Sequence, residues 1–313
     1  FILLYSFSFS DIFYVPSEYP TIQEGIDAAQ DGDTVLVSQD TYYENLKITR
    51  SITLASNALF DDLSNWTEFD DQIFWQWQVI NEHINNTIID GSSATDEFGS
   101  AILIYPQDGT CITPVIFGFT IQNGLGTEII RNPDTNEEES QILGGGILFD
   151  ISNPTIKYNK FLNNGSYEGG GMYGTSSDED WDFDNIPTND DFDTDNMRCD
   201  VEEFDISNNL YDGNDAEYGN SFSNKFFENT INMSESIFDV ANCGIEEVSP
   251  VWVYVEPEAD LTLDDIESNL CAFTASDVYV DSNIEQECLD DGCGYESNPF
   301  KTITWTLAMI MPS

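Results

Sequence analysis

The sequence predicts an all-β chain wound as a right-handed parallel β-helix, a three-sheet solenoid with a short N-terminal capping helix and a long acidic loop insertion. Three observations carry that prediction. Short β-branched and aromatic runs alternate with turns rich in Asn and Gly. Several of these runs recur in degenerate form. Finally, 313 residues exceed what one core of ordinary radius organises, whereas a solenoid grows by adding coils. With 40% hydrophobic and 13% aromatic residues there is material for such a core, so disorder is not the expectation despite the charge.

At the N-terminus, the apolar run Phe1 to Phe9 ends in Ser8-Phe9-Ser10, a small-x-small pattern of the kind signal peptidase cuts. Residues 1–10 are therefore expected to be the remnant of a signal peptide, the plainer alternative being an N-terminal strand. Ile12-Phe13-Tyr14-Val15 reads as a strand, and Pro20 to Ala29 has apolar residues at helical spacing. That helix would cover the open end of the first coil and shield its strand edges. Asp31-Gly32-Asp33 makes a turn, after which Thr34-Val35-Leu36-Val37 and Ser51-Ile52-Thr53-Leu54 are strands.

Beyond these elements the pattern is periodic. Gly144-Gly145-Gly146-Ile147-Leu148-Phe149 returns as Gly169-Gly170-Gly171-Met172-Tyr173-Gly174. Pro114-Val115-Ile116 leading to Ile121-Gln122-Asn123-Gly124 returns as Pro154-Thr155-Ile156 leading to Phe161-Leu162-Asn163-Asn164. Asn159-Lys160-Phe161-Leu162-Asn163-Asn164 is matched to Asn224-Lys225-Phe226-Phe227-Glu228-Asn229. Strands of this kind point alternate side chains inward, and the turns need residues that tolerate left-handed dihedrals, which Asn and Gly supply. Residues 175–220 break the pattern with a run of acids that cannot supply core, and read as an excursion from one turn. The β-helix domain is thus placed at 11–275. Ser276-Asp277-Val278-Tyr279-Val280 repeats the opening Ser10 to Val15, so 276–313 is expected to begin a second, truncated module.

Lys and Arg number 8 against 59 Asp and Glu, a formal net charge of -51, which repels nucleic acid and anionic lipid and suits divalent cations. No stretch is long enough to span a bilayer. Six cysteines in an exported chain permit disulfides, with connectivity open; a zinc site is disfavoured, since no CxxC pair occurs and His83 is the only histidine.

Thr21-Ile22-Gln23 through Ala29, Gly32-Asp33-Thr34-Val35, Thr87-Ile88-Ile89-Asp90-Gly91 and Gly118-Phe119-Thr120-Ile121-Gln122-Asn123-Gly124 together resemble the pectin-lyase-like superfamily of right-handed parallel β-helices, particularly its exported bacterial repeat proteins. The resemblance implies the fold and an extracellular or cell-surface setting. It does not imply an activity. The Gln-Ala-Val and Asp-Phe-[Ile/Val]-Phe-Gly stretches of pectinesterases and the motifs of polygalacturonases are absent. A lyase would pair calcium-binding acids with an Arg or Lys base, but Lys157, Lys160 and Lys225 read as strand-face charges.

Two candidate sites follow from the residues. Asp191, Asp193, Asp195 and Glu202 have the spacing of a calcium loop, with Asn196 where Gly makes the sharp turn; the plain reading is a solvated acidic run. Trp66, Phe69, Phe74, Trp75 and Trp77, interleaved with acids, could stack on sugar faces, or could simply pack an insertion against the solenoid. The function expected is a secreted module that contacts extracellular polysaccharide, with calcium in the acidic loop. The competing classes are a pectate-lyase- or pectinesterase-like enzyme using acids such as Asp90 or Asp150, and an adhesin stalk or spacer.

Overall fold

The structure, a computed structural model, describes residues 10–70, 76–94, 98–106, 111–131, 139–150, 152–175, 181–182, 203–227, 230–238, 251–255, 261–262 and 267–268. The strands stack in three parallel sheets, and each circuit of the chain gives one strand to each, so the chain is a parallel β-helix. The first sheet runs through Ile12–Val15, Thr34–Val37, Thr53–Ser56, Val115–Phe117 and Thr155–Lys157. Beside its last strand a short sheet of Glu203–Asp205, Thr230–Asn232 and Leu261–Thr262 carries the column on. The second sheet takes Asp40–Tyr42, Thr87–Asp90, Thr120–Gln122, Lys160–Leu162, Leu210–Asp212, Ile237–Phe238 and Glu267–Ser268. The third takes Leu46–Ile48, Ile102–Ile104, Ile147–Asp150, Met172–Thr175, Phe222–Phe227 and Val251–Val255.

Like stacks on like inside the coil. Ile89, Ile121, Phe161, Tyr211 and Phe238 form one inward column of the second sheet, and all are buried. Its aromatic members lie face to face, Phe161 on Tyr211 at 5.1 Å and Tyr211 on Phe238 at 5.2 Å between ring centres. The helix Ile22–Ala28 closes the N-terminal end by burying Ile22 and Ile26 over the first coil. Its first turn is capped twice: the Thr21 hydroxyl accepts from the Glu24 N–H, and the Glu44 carboxylate accepts from the N–H groups of Ile22 and Gln23, both at 3.0 Å.

The corners repeat as strictly as the strands. Between the first and second sheets, Gly118, Tyr158, Asn208 and Glu235 occupy successive coils with φ of 81°, 57°, 57° and 54°. Between the second and third, Asn123, Asn163 and Gly213 do the same at 58°, 53° and 65°. The residue after each left-handed position turns inward. Asn159, Asn209, Asn164 and Asn214 are there, all buried. Asn159 Oδ1 accepts from the Phe119 N–H of the preceding coil at 3.0 Å, while its own N–H donates to Asn209 Oδ1 of the next at 3.0 Å. Its Nδ2 donates to the carbonyls of Ile116 and Lys157 at 3.1 and 2.9 Å. Asn164 and Asn214 repeat the arrangement one corner further on: Asn164 Oδ1 accepts from Gly124 N–H at 3.0 Å, and Asn164 N–H donates to Asn214 Oδ1 at 3.1 Å.

These ladders correct one repeat assignment. Asn159 is stacked on Asn209, fifty residues on. The sequence match to Asn224 is a false register, because the strand holding Asn224 belongs to the third sheet and pairs with Gly174. Two other matches stand in register: Ile147 opposite Met172, and Val115 opposite Thr155 with Ile121 opposite Phe161. The expected excursion over 175–220 is also too long, since Glu203–Asp205 and Leu210–Asp212 are strands of the coil. Residues 203–220 contain a left-handed corner, a buried Asn and a Gly-containing turn, so their acids face outward from an ordinary circuit. Residues 1–9 and the expected second module at 276–313 lie outside the described residues.

Among the described residues, excursions cover the outside of the coil. The antiparallel pair Thr127–Arg131 and Glu139–Leu143 lies over the third sheet, where Ile129 and Leu143 pack with Leu103, Leu148 and Tyr173. Residues 57–70 and 76–86, containing the antiparallel pair Thr67–Asp70 with Gln76–Val79 and the short helix Glu82–Asn86, pack on the first corner through Ala58, Trp66, Val79 and Ile84 against Leu210 and Ile237.

Replacing Asn159 by Ala strands the Phe119 N–H and removes the Nδ2 donor from the Ile116 and Lys157 carbonyls, the latter keeping the Gly118 N–H. We expect Asn159→Ala to lower stability by about 2–4 kcal/mol, as the shift in denaturation midpoint. Gln39→Ala, which removes an exposed amide bonded to the Glu82 carbonyl, should shift it by no more than about 0.5 kcal/mol.

Candidate functional site

The first corner carries an open cleft walled by rings and polar side chains. Its geometry begins at Gly118, where a side chain would meet Ser56 Oγ at 2.7 Å and Ala58 Cβ at 2.8 Å. Glycine there lets the chain from Ser56 and Ala58 lie across the corner. On the following coils the equivalent positions are Tyr158, Asn208 and Glu235, and these side chains project outward from the left-handed backbone. Between them and the hairpin is a cleft of about 460 Å³, lined chiefly by Trp66, Trp77, Tyr158, Asn65, Asn208 and Glu235.

The rings are not equivalent. Trp66 is buried, its edge meeting the Tyr158 ring at 5.7 Å, and it acts as a strut between excursion and coil. Trp77 and Tyr158 remain partly exposed along the cleft. Phe69 lies across the hairpin from Trp77, edge to ring at 5.6 Å, and braces it. Phe74 and Trp75, the other members of the sequence-derived aromatic set, lie outside the described residues. Tyr158, Asn208 and Glu235 were not singled out from sequence; the signal was their position one residue before an inward Asn or Ser, which requires the correct coil register to be seen.

The turn beneath the cleft is held by carboxylate and amide oxygens. Asp205 Oδ1 accepts from the N–H and hydroxyl of Ser207 at 3.2 and 2.7 Å, and Asn232 Oδ1 accepts from those of Ser234 at 3.1 and 2.7 Å. Asp205 Oδ2 also meets the Lys157 ammonium at 3.1 Å. Burial pushes the Asp205 carboxyl up, but Ser207 and Lys157 together outweigh it and hold the group below the ordinary carboxylate range.

The other chemistry-bearing groups resolve into structural roles. Lys160 faces Asp212 at 3.9 Å, so Lys157 and Lys160 both sit opposite acids of the next coil. Asp90, one of the acids considered for catalysis, is buried and accepts from Gln122 Nε2 at 2.7 Å, Asn123 Nδ2 at 2.9 Å and the Ser92 N–H at 3.0 Å. Burial raises its carboxyl, yet these donors prevail and lower it, which is the wrong direction for a proton donor near neutral pH. Asp150 is buried on the third sheet. His83 Nδ1 lies 2.7 Å from Asp61 Oδ2, which also accepts from Asn81 Nδ2 at 2.8 Å, tying the short helix to residues 57–61.

A second cleft, of about 620 Å³, borders the capping helix and includes Tyr43, Lys47, Arg50 and Phe98. Its polar groups are the seam between helix and sheet: Gln23 exchanges hydrogen bonds with the Lys47 backbone at 2.8 and 3.2 Å, and Arg50 donates to the Ala29 carbonyl at 3.1 Å. The calcium-loop residues Asp191, Asp193, Asp195 and Glu202 lie outside the described residues. Among the described residues no cluster of His, Cys, Asp and Glu could hold a metal, and no helix is long and apolar enough to cross a membrane. Cys111 is disulfide-bonded.

No family model, no curated protein and no solved structure matches the chain.

The state of Asp205 has a measurable consequence. Its folded pKa is depressed, so its stabilisation is complete above the ordinary value of 3.8 and is lost as pH falls through the lower folded value. Asp205→Asn should therefore flatten the acid limb of melting temperature against pH, with the largest gap from wild type at neutral pH and convergence in strong acid.

Proposed function

We propose that the chain is an extracellular β-helix module of the pectin-lyase-like kind that binds polysaccharide in the cleft beside residues 57–86. The observation that carries the reading is the pairing of two partly exposed rings, Trp77 and Tyr158, with amide and carboxylate side chains at Asn65, Asn208 and Glu235 in one open groove. Flat rings take the apolar face of a sugar, and neighbouring oxygens and amides take its hydroxyls. A binding role is favoured over catalysis because Asp90, an acid considered above for catalysis, is buried and locked into a turn by neutral donors. Calcium at Asp191, Asp193, Asp195 and Glu202 is part of the same proposal, as a clamp for the acidic excursion.

Glycan-array binding by the folded chain, without release of unsaturated or reducing ends, is the expected outcome. Trp77→Ala should weaken it by about tenfold or more, the usual consequence of removing an aromatic anchor, with the melting midpoint measured alongside. Product release abolished by Asp90→Asn would replace the reading with an enzyme. Absence of both binding and turnover would favour a stalk. For calcium, the melting midpoint should fall on adding chelator and should respond less in Asp193→Ala; equal midpoints throughout would remove the metal.

A further inference from the structure

Among the described residues, Ile12–Val15, Asp40–Tyr42 and Leu46–Ile48 are the end strands of the three sheets on the side of the capping helix. An end strand turns alternate N–H and C=O groups away from its neighbour, and three such edges side by side form a template for a further coil. In each of the three, a side-chain oxygen takes a backbone N–H of the end strand.

The third sheet shows this most fully. Leu46 N–H donates to the Ala101 carbonyl at 2.8 Å, and the Ile48 carbonyl accepts from Tyr105 N–H at 3.0 Å, so the Lys47 amide between them faces off the end of the coil. There the Gln23 side chain meets both groups: Lys47 N–H donates to Oε1 at 2.8 Å, and Nε2 donates to the Lys47 carbonyl at 3.2 Å. These are the two bonds a neighbouring strand would make, supplied by one carboxamide. Asp27, one helical turn on, accepts from the same Nε2 at 2.8 Å, and burial of Ile22 and Ile26 holds the helix in place.

On the first sheet the Asp11 and Val15 carbonyls accept from Thr34 and Ser38 N–H groups, both at 2.9 Å, which turns Tyr14 outward. Its N–H donates to Glu18 Oε2 at 3.1 Å, and its carbonyl accepts from the N–H groups of Glu18 and Tyr19 at 2.9 and 3.2 Å. On the second sheet Thr41 N–H donates to Asp40 Oδ1 at 2.8 Å.

We infer that Glu18, Asp40 and Gln23 form a hydrogen-bonded seal that keeps a second copy of this chain from stacking end to end on the coil. The coil grows by translation along its axis, so a copy added at this edge would pair three strands at once. Head-to-tail contacts of that kind do not close, and they build filaments. Two copies also repel through a net charge of -51 each, but salt shortens that repulsion to about 3 Å at 1 M. The side-chain bonds persist under those conditions. This inference concerns self-association and is independent of the polysaccharide reading.

Sedimentation velocity in about 1 M salt, where repulsion between copies is screened, tests the seal, with amide hydrogen exchange read on the same samples. The wild-type chain should sediment as a monomer at all concentrations. A variant combining Glu18→Ala, Asp40→Ala and Gln23→Ala should exchange the Tyr14, Thr41 and Lys47 amides about tenfold faster or more in dilute solution. As it is concentrated, its weight-average sedimentation coefficient should rise to that of a dimer or beyond. Glu18→Gln with Asp40→Asn keeps both oxygens and removes both charges, and should behave as wild type. Association of that pair to the extent of the alanine variant would assign the effect to charge and overturn the inference. So would unchanged exchange of the three amides, an alanine variant that stays monomeric while they exchange fast, or a wild-type chain that already stacks. If the triple variant melts early, Glu18→Ala alone decides, since Glu18 is exposed and lies outside the helix. It should speed Tyr14 exchange by the same factor and associate on concentration, and a monomer with fast Tyr14 exchange overturns the inference.

Discussion

The interaction on which this molecule depends is the hydrogen bond from a buried asparagine amide to the backbone of an adjacent coil. A parallel coil must turn three times per circuit, and each turn leaves backbone N–H and C=O groups pointing into an apolar interior, where an unpaired group costs about 1–3 kcal/mol. Asn159 and Asn209 meet that demand by sitting inside the corner. Each offers its oxygen to an N–H, that of Phe119 for Asn159 and that of Asn159 for Asn209, and its amide hydrogens to carbonyls, among them those of Ile116, Ile156 and Ile206. Because each asparagine also donates its own N–H to the next, the bonds run along the axis and set the distance between coils. The last rung shows that the position matters more than the residue: Ser236 Oγ takes the place of the amide oxygen and accepts from Asn209 N–H at 3.3 Å.

Much else follows from having the corner fixed in this way. The residue before the inward asparagine has to be left-handed, and its side chain is directed away from the core, so it is free to vary: Gly118, Tyr158, Asn208 and Glu235 share one conformation and no chemistry. Glycine is required only where something lies on top, as residues 57–61 do at Gly118. The same logic explains close approach at the third sheet, where a methyl group on Gly146 would overlap the Gly171 carbonyl oxygen. Excursions leave from corners because a corner can be lengthened without disturbing the strand register on either side. They pack back onto the coil because the outward faces of Leu103, Leu148 and Tyr173, and of Leu210 and Ile237, would otherwise be apolar and wet.

What could be read from the sequence and what could not divide along the same line. The coil architecture was legible because Gly144 to Gly146 and Gly169 to Gly171 repeat a steric requirement, and steric requirements tolerate few residue types. The capping helix was legible from Thr21, Ile22 and Ile26, whose spacing has one economical explanation. The circuit at 203–220 was not, since its outward acids disguise a corner formed by Asn208 and Asn209, and the inward Phe204, Ile206 and Tyr211 are too sparse to stand out as strands. The pairing of Asn159 with Asn224 failed for a related reason: Asn-Lys-Phe occurs in two sheets with different roles, and local similarity carries no information about which sheet. Of the cleft, Trp66 and Trp77 were legible as an aromatic group, but its other wall comes from corners far away in sequence, at 158, 208 and 235. Only the coil register brings these together.

The imbalance of 59 acids against 8 bases shapes both the fold and the cleft. Most buried or part-buried carboxylates cannot find a cation in such a chain, and several here accept from neutral donors instead. Asp33 takes the N–H groups of Asp11 and Gln30 at 2.9 and 2.8 Å, Glu44 takes the start of the helix, and Asp90 takes two amides and an N–H. Each of these carboxylates therefore fixes a turn. Three of the described bases are used just as locally: Lys157 and Lys160 sit opposite acids one coil on, and Arg50 holds the end of the helix. Among the described residues, the groove at the first corner is lined by rings, amides and an acid. The conformational rule that closes the coil thus leaves outward corner side chains free to vary, while the charge imbalance limits which chemistries they present.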